Sequence, residues 1–270
     1  MGENVDSESV WEKKIRTQPP ERVIGCIITQ REELVKEASE TVEYIGSKMS
    51  LSKGMKVLDI GTGPLARNAI EFAKRGCDVE AVDVSRTTLK FAKENYERHK
   101  ESCKGKITFS QSNANKLEFK DDSFDVVLFL GVLYHIPKNE LGDCVSEISR
   151  VLKPKGRCVT DFACKHYPIH FQGMAYRKLH EVFKGRHPVE FVFYSYKEIM
   201  ELFGKNQMSL FSSKSRSDPG CMLFGHPKTV RFKPIGDALT YPIALLFRKL
   251  PMLQNYQGNY FLIFDSTKAP

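Results

Sequence analysis

The chain has 270 residues, of which 41% are hydrophobic, so it is long enough to bury a large core. Its formal net charge is +8. The excess lies at one end, because residues 165–270 carry 15 Lys and Arg against 7 Asp and Glu, whereas residues 1–164 carry 26 of each. This asymmetry predicts an anionic partner or an anionic membrane surface near that end, or else a solvated basic face. No apolar run reaches the roughly 18 residues of a membrane span.

The seven cysteines are spread along the chain without CxxC spacing, and their number is odd. The first residues, MGENVDSESVWEKK, are acidic and polar, unlike a secretory or mitochondrial leader. We therefore expect reduced thiols in a cytoplasmic protein. No His, Cys or carboxylate cluster has the spacing of metal ligands, so the sequence predicts no metal site.

The N-terminal region divides into an arm and a helix. Residues 1–20 show no sustained pattern and are expected to be loosely ordered, with Trp11 pinning the arm to the body. In residues 30–49 the apolar positions recur at helical spacing, with charges between them. This helix is expected either to cover a ligand cleft or only to pack on the core.

Strands and helices then alternate along the chain. The apolar runs predict strands at 56–60, 79–83, 107–111, 124–130 and 157–162. Helical patterns between them cover 66–75, a segment for which Ser85 is the candidate N-cap, and 141–152. Such alternation predicts right-handed βαβ units and a parallel sheet.

The regular alternation of strands and helices ends after residue 164. Ser195 and Glu198 have the spacing of a capping box, which predicts a short helix ending at Phe203. Two further strands are predicted at 208–213 and 260–265, and together they would form an antiparallel hairpin at one edge of the sheet. The fold class is therefore α/β.

The stretch KVLDIGTG at 56–63 combines a buried strand with a sharp turn. Gly61 and Gly63 let the backbone reach positive φ and let a ligand lie close to it. Asp83 ends the next strand, where an acidic side chain can accept hydrogen bonds from a ribose. The dinucleotide fingerprint GxGxxG is incomplete, because Ala66 occupies its third glycine position. By itself the turn fits a nicotinamide dinucleotide as well as S-adenosylmethionine.

Four longer segments resolve that ambiguity, because they resemble the class I S-adenosylmethionine-dependent methyltransferases. The likeness is greatest to the broad group that includes ubiquinone and menaquinone biosynthesis methyltransferases. The segments are VLDIGTGP (57–64), AVDVS (81–85), SNANKLEFKDDSFDVVLFLGVLYHIP (112–137) and EISRVLKPKGRCVTDF (147–162), in the family's order and spacing. The resemblance implies a Rossmann-like, seven-stranded, mostly parallel sheet with helices on both faces, and S-adenosylmethionine as cofactor. It says almost nothing about the substrate.

The resemblance also implies roles for individual residues. Asp59 is expected to organise the glycine turn or to reach the amino group of the sulfonium ligand. The other residues expected at the cofactor are Gly61, Thr62 and Gly63 along the methionine and ribose, Asp83 at the ribose hydroxyls, Val84, Asn113 and Ala114 at the adenine, and Leu130 and Gly131 near the methionine. The family more often has Asp where Asn113 stands, although Asn can both accept and donate there. It often has glycine where Leu65 stands, so the path from turn to helix is expected to differ.

Catalysis by this family needs little from side chains. Methyl transfer from a sulfonium is an in-line displacement with a good leaving group, so proximity and orientation supply most of the rate. A general base helps only if the nucleophile must lose a proton. His135 follows the fourth strand at the edge where ligands bind, and it is the candidate base, with Tyr134 as a weaker candidate. His166, Tyr167 and His170 follow the fifth strand and are alternatives at the acceptor.

Three parts of the chain are distinguished by this reasoning. Residues 1–50 are an N-terminal arm and cap helix, residues 51–165 a cofactor-binding core, and residues 166–270 acceptor-binding lid insertions with the closing edge strands of the same domain. The last part interleaves aromatic and basic residues, which favours a small, hydrophobic or lipid-like acceptor. Its segment YPIALLFRKLPML is expected either to contact that acceptor or a membrane surface, or to lie buried in the lid.

Two other functions remain open at this point. Basic and aromatic residues also suit RNA, so an RNA methyltransferase that uses the basic C-terminal third is an alternative. No appended RNA-binding module and no Asn/Asp-Pro-Pro-Tyr tetrapeptide supports it. The other alternative is a non-catalytic S-adenosylmethionine-binding partner protein, which the complete set of cofactor motifs disfavours.

Overall fold

The computed structural model describes residues 7–17, 31–166, 192–216 and 259–269. Its helices are α1 (Ser7–Thr17), α2 (Arg31–Lys48), α3 (Arg67–Lys74), α4 (Arg86–Glu97), α5 (Leu141–Val151) and α6 (Tyr196–Lys205). Its strands are β1 (Lys56–Ile60), β2 (Asp78–Asp83), β3 (Ile107–Gln111), β4 (Phe124–Phe129), β5 (Leu152–Ala163), β6 (Met208–Arg216) and β7 (Asn259–Ser266).

The strands form one seven-stranded sheet in the order β3-β2-β1-β4-β5-β7-β6. Strands β1 to β5 are parallel, and β7 runs antiparallel to both β5 and β6. The Rossmann-like sheet and its antiparallel edge are confirmed. The chain leaves β1 toward β2 on one side and later enters β4 on the other, so the strand order reverses between β1 and β4. The carboxyl ends of these two strands therefore flank the crevice in which open α/β sheets bind ligands.

Two hydrophobic clusters cover the two faces of the sheet. Val57 belongs to one cluster and Leu58 to the other, because successive side chains of a strand point to opposite faces. The same alternation divides β4, where Val126 and Leu128 face one cluster and Val127 and Phe129 face the other. Burial on both faces explains why the sequence of β4 is almost continuously apolar.

The expectation that residues 1–20 are loosely ordered is wrong for residues 7–17, which form α1. The helix packs on α4, and Ile15 is only 2% exposed. A helix of 11 residues is marginal in isolation, so its packing on the body stabilises it more than its intrinsic propensity does. The sequence pattern missed it because the inward face is partly acidic rather than uniformly apolar.

The later elements follow the predicted order with some changes in length. The capping box at Ser195 is present, with Ser195 Oγ accepting from the Glu198 amide and Glu198 accepting from the Ser195 amide. Strand β5 begins directly at the end of α5 and is longer than predicted. Residues 167–191 and 217–258, which contain the expected acceptor-binding insertions and the YPIALLF segment, lie outside the described residues. Among the described helices, none combines the length and the apolar character that crossing a bilayer requires.

Candidate functional site

The glycine turn after β1 is fixed to the neighbouring strand. The amides of Gly61 and Thr62 both donate to the carbonyl of Val82, at 2.8 and 3.0 Å. Gly61 and Gly63 have φ of 70° and 67°, in the left-handed region that favours glycine. A Cβ on Gly61 would lie 2.4 Å from Cγ2 of Val132, in the segment after β4. The turn therefore needs glycine at Gly61 for both its conformation and its close packing.

The exit from this turn takes the different path that Leu65 predicted. Ala66 precedes α3 with φ 42° and ψ 36°, a left-handed conformation that costs a non-glycine residue about 1–2 kcal/mol. Leu65 is buried, and its carbonyl accepts from Asn95 Nδ2 of α4 at 2.7 Å. Packing against α4 therefore stabilises the connection from the turn to α3, which lacks the third glycine of GxGxxG.

Asp59 lies at the centre of the turn and is 2% exposed. Its Oδ2 accepts from Thr62 Oγ1 at 2.7 Å, and its carboxylate also accepts from the backbone amide of Ala69. Burial raises the pKa of Asp59 to about 6, against the opposing effects of the Thr62 hydrogen bond and the charge of Arg67. Asp59 therefore links β1, the turn and the first residues of α3.

Asp83 joins the turn to the end of β2. Its Oδ2 accepts from the amide of Gly63 at 3.2 Å, and its Oδ1 accepts from the amide of Ser85 at 3.0 Å. Loss of hydration raises the pKa of Asp83 to about 6, against these two hydrogen bonds, and the charges of Asp59 and Glu12 raise it further. Each oxygen has a further lone pair, so the carboxylate can accept from additional donors.

The start of α4 is held by side chains from two directions. Ser85 caps the helix, with its Oγ accepting from the Thr88 amide at 2.9 Å, as its position in the sequence predicted. Glu12 of α1 accepts from the Thr87 amide through Oε1 at 3.0 Å. Glu12 is a site residue that the sequence analysis missed, since residues 1–20 were interpreted as an arm without secondary structure.

The predicted adenine-binding residues lie near the ends of β2 and β3. Gln111 Nε2 donates to the carbonyl of Val84 at 2.9 Å, which ties these ends together. Asn113 follows β3 and is partly exposed. Its Oδ1 accepts a long hydrogen bond, of 3.4 Å, from the amide of Asn115. Ala114 is buried and contributes to the core. Val84 and Asn113 are therefore on neighbouring turns at the same edge of the sheet.

Leu130 and Gly131 end β4 beside the glycine turn. Gly131 has φ 75°, and its amide donates to Asp161 Oδ1 of β5 at 2.7 Å. A Cβ on Gly131 would stand 3.5 Å from the Tyr134 hydroxyl. Asp161 was missed by the sequence analysis. Its signal was a carboxylate close to the carboxyl end of a parallel strand, the edge at which ligands bind.

Three half-buried rings meet beyond Gly131. A short 3₁₀ turn, Leu133–His135, places the His135 ring 4.7 Å from the Tyr134 ring and 5.0 Å from the Trp11 ring of α1. The expected contact of Trp11 with the body is therefore made at the candidate base. His166 lies on an exposed turn after β5, and Tyr167 and His170 fall outside the described residues.

In the residues that the structure describes, the site lies along the carboxyl edge of the sheet. One open cavity, of about 450 Å³, lies between α4 and β3 and has Gln111 in its lining, and another, of about 530 Å³, lies near Lys153. Within the part of the chain that the structure describes, no three His, Cys, Asp or Glu side chains are grouped so as to hold a metal ion.

Comparison with known families agrees with this geometry. Residues 58–160 match the family described as methyltransferase domain. A ubiquinone/menaquinone biosynthesis C-methyltransferase from Rhizobium johnstonii is 34% identical over 119 residues, which are 43% of this chain and 45% of that protein. A sterol 24-C-methyltransferase from Aspergillus fumigatus is 29% identical over 133 residues, 48% of this chain and 34% of that protein. The chain thus spans less than half the length of these curated relatives.

Solved structures show the same fold at low sequence identity. The magnesium protoporphyrin IX methyltransferase of Synechocystis PCC 6803, crystallised with bound SAH, superposes with a TM-score of 0.59 at 17% identity, covering 86% of this chain and 83% of that one. A methyltransferase from Methanosarcina mazei, described as SAM-dependent, gives 0.62 at 17% identity over 84% and 98% of the two chains.

Proposed function

We propose that this chain, whose residues 58–160 match a methyltransferase domain, is a class I S-adenosylmethionine-dependent methyltransferase that transfers a methyl group to a small, hydrophobic or lipid-like acceptor. One observation carries the proposal. Asp83 accepts from Gly63 and Ser85, so a carboxylate joins the glycine turn to the start of α4 at the crevice between β1 and β4. A ligand with vicinal hydroxyls and a cationic centre fits an edge that offers carboxylates and close backbone.

The residues at this edge fit the cofactor. Asp83 has lone pairs left for two ribose hydroxyls, and Val84 offers an apolar surface for the adenine. Asn113 Oδ1 makes one long hydrogen bond, so the amide can still pair with the adenine edge. Gly61, Thr62 and Gly63 let the methionine and ribose lie against the backbone, because two of the three lack a side chain.

The methyl group is delivered by position and charge. S-adenosylmethionine supplies, when bound, a methyl group already activated on a sulfonium. The Asp59 carboxylate favours a cation near the turn, while Leu130 and Gly131 limit the space beside the methionine. Asp161 accepts from the amide of Gly131, so the segment at the carboxyl end of β4 is preorganised before a ligand binds.

The acceptor would enter from the aromatic side of the crevice. The Trp11, Tyr134 and His135 rings lie there, and ring faces suit an apolar or conjugated acceptor. The sterol and quinone C-methyltransferases among the relatives support an acceptor of this class. The basic C-terminal third is also proposed to make peripheral contact with a membrane surface.

His135 is proposed to take a proton from the acceptor, with Tyr134 as the alternative. His135→Phe keeps a ring against Trp11 but removes the base, so turnover should fall by about 100-fold, the lower range of general-base effects. Affinity for S-adenosylhomocysteine should stay within about twofold, because His135 is not assigned a cofactor contact. Tyr134→Phe tests the alternative, because a loss of turnover in that variant rather than in His135→Phe would make Tyr134 the base. Full turnover in His135→Phe would remove His135 as the base.

The cofactor assignment is tested by thermal unfolding with S-adenosylhomocysteine or NAD. A ligand that binds only the folded state raises the melting temperature. A rise with S-adenosylhomocysteine but not with NAD is expected, and a response to NAD alone would refute the proposal. Organic extraction of the purified protein then tests the acceptor class. Copurified RNA with salt-sensitive binding would instead favour an RNA substrate.

A further inference from the structure

One face of α1 lies over the carboxyl edge of the sheet. Glu8, Trp11, Glu12 and Ile15 recur at the i, i+3, i+4, i+7 spacing of a single helix face. Glu8 accepts from Gln111 Nε2 at the end of β3, at 2.9 Å. Together with the contacts of Trp11 and Glu12, this shows that α1 spans the ends of β3, β2 and β4.

The two carboxylate oxygens of Glu12 have different surroundings. Oε1 accepts from the Thr87 amide. Oε2 is buried and makes no hydrogen bond of normal geometry among the residues that the structure describes. Against the effect of burial, hydrogen bonding with the side chains of Thr87 and Ser85 lowers the pKa of the Glu12 carboxyl. The guanidinium of Arg16 stands 3.6 Å away, on a side chain that is 72% exposed. A buried acceptor without a well-placed donor is costly, so Oε2 can accept a hydrogen bond from a donor that a ligand brings.

Glu12 and Asp83 flank the same backbone segment. Asp83 accepts from the amide of Ser85, and Glu12 accepts from the amide of Thr87 two residues later. After burial and the charge of Asp59, the charge of Glu12 makes a small contribution to the raised pKa of Asp83. The two carboxylates thus stand together at the start of α4, where the ribose is proposed to bind.

We propose that Glu12 is a second ribose-recognising residue, whose Oε2 accepts a hydrogen bond from one ribose hydroxyl of the bound cofactor. This inference rests on the proposed function. It makes α1 part of the cofactor site, because a hydrogen bond from the ribose ties the helix to the ligand. The same helix holds Trp11 against His135, so cofactor binding would also fix one wall of the acceptor entrance.

The test is Glu12→Gln, measured by calorimetric titration with S-adenosylhomocysteine. Gln keeps an oxygen for the Thr87 amide but replaces the second acceptor by a donor. The dissociation constant should rise by about 10-fold, the loss of one hydrogen bond to a charged group. Glu8→Gln is the matched control. It removes the same charge from the same face and retains an acceptor for Gln111, so its affinity should equal that of the wild type.

Analogues of S-adenosylhomocysteine that lack the 2′- or the 3′-hydroxyl separate recognition from a structural role. Deletion of one hydroxyl should lower the affinity of the wild type by about 10-fold. The affinity of Glu12→Gln should fall much less, because the substitution and the deletion remove the same interaction. An equal loss with every ligand, or unchanged affinity in Glu12→Gln, would overturn the inference. A wild type that fails to bind S-adenosylhomocysteine would instead overturn the proposed function, and the inference would fall with it.

Discussion

The two helices that start at the crevice begin in opposite ways. Helix α3 follows a turn whose wall is backbone, with Gly61, Gly63 and Ala66 all at positive φ and no cap from the Ala66 side chain. Helix α4 begins among oxygen atoms, because Ser85 and the Glu12 carboxylate accept from its first amides. One start therefore offers close approach to backbone, and the other offers hydrogen-bond acceptors.

This difference suggests how a single edge distinguishes the parts of its ligand. A left-handed, glycine-containing turn costs conformational freedom but admits a ligand chain against the main chain. A start lined by carboxylates destabilises the empty site, since burial raises the pKa of Asp83 and so disfavours its charge. Hydroxyl donors of a ligand would compensate that cost. The following predictions test the contrast, from the largest expected effect to the smallest.

Gly61→Ala should have the largest effect. The new Cβ would clash with Val132, and alanine would be strained at φ 70°. Strain and overpacking together should lower the free energy of unfolding by about 3 kcal/mol. Gly54→Ala is the control, because φ is 82° there but the Cβ would meet nothing within 4 Å. Chemical denaturation should show a loss of about 1 kcal/mol for Gly54→Ala. Equal losses would mean that close packing at Gly61 is unimportant.

Asp83→Ala should lower the affinity for S-adenosylhomocysteine by about 100-fold, because two hydrogen bonds to a charged acceptor are lost. Asp78→Ala provides a control at the opposite end of β2, where Asp78 accepts from the Lys106 amide at 3.1 Å. It removes the same charge and a comparable backbone contact, so its affinity should match the wild type. Calorimetric titration measures both variants, and similar weakening in both would refute the ribose role.

The pH should act oppositely on the empty and the ligand-bound protein. Folding raises the pKa of Asp59 and Asp83 to about 6, so the folded state binds protons more tightly than the unfolded chain. The stability of the unliganded protein should therefore fall as the pH rises from about 4 toward 6. S-adenosylhomocysteine needs the ionised Asp83, so its affinity should fall by up to about tenfold per pH unit as the pH drops below about 6. The dependence of this affinity on pH should disappear in Asp83→Ala.

The smallest effects should come from the helix starts themselves. Ser85→Ala removes the cap of α4 and should cost about 1 kcal/mol of stability. Ala66→Gly should have the opposite sign, because relief of left-handed strain exceeds the added entropy of the unfolded chain by about 0.5 kcal/mol. Thermal and chemical unfolding distinguish the two. Destabilisation by Ala66→Gly would show that Ala66 contributes more through burial than it costs in strain.

Much of the core could be predicted from the sequence because its signals are local. The period of the apolar residues predicts each parallel strand, and β4 is apolar throughout because both of its faces are buried. Ser85 and Ser195 are helix caps recognisable from a few residues. The glycine turn and Asp83 are recognisable in the same way. Their roles toward a cofactor stay predictions that the proposed titrations test.

Other parts of the site depend on contacts between distant segments. Asp161 meets Gly131 across 30 residues of sequence, and Glu12 meets Thr87 across 75. Ala66 is left-handed although nothing in its residue type favours that conformation, because the turn, Asp59 and Asn95 hold both sides of it. The sequence by itself determined the strands, the mostly parallel sheet with its antiparallel edge, and the glycine turn. Only the tertiary structure decided that α1 forms part of the crevice, since packing on α4 creates the partners that its acidic face requires.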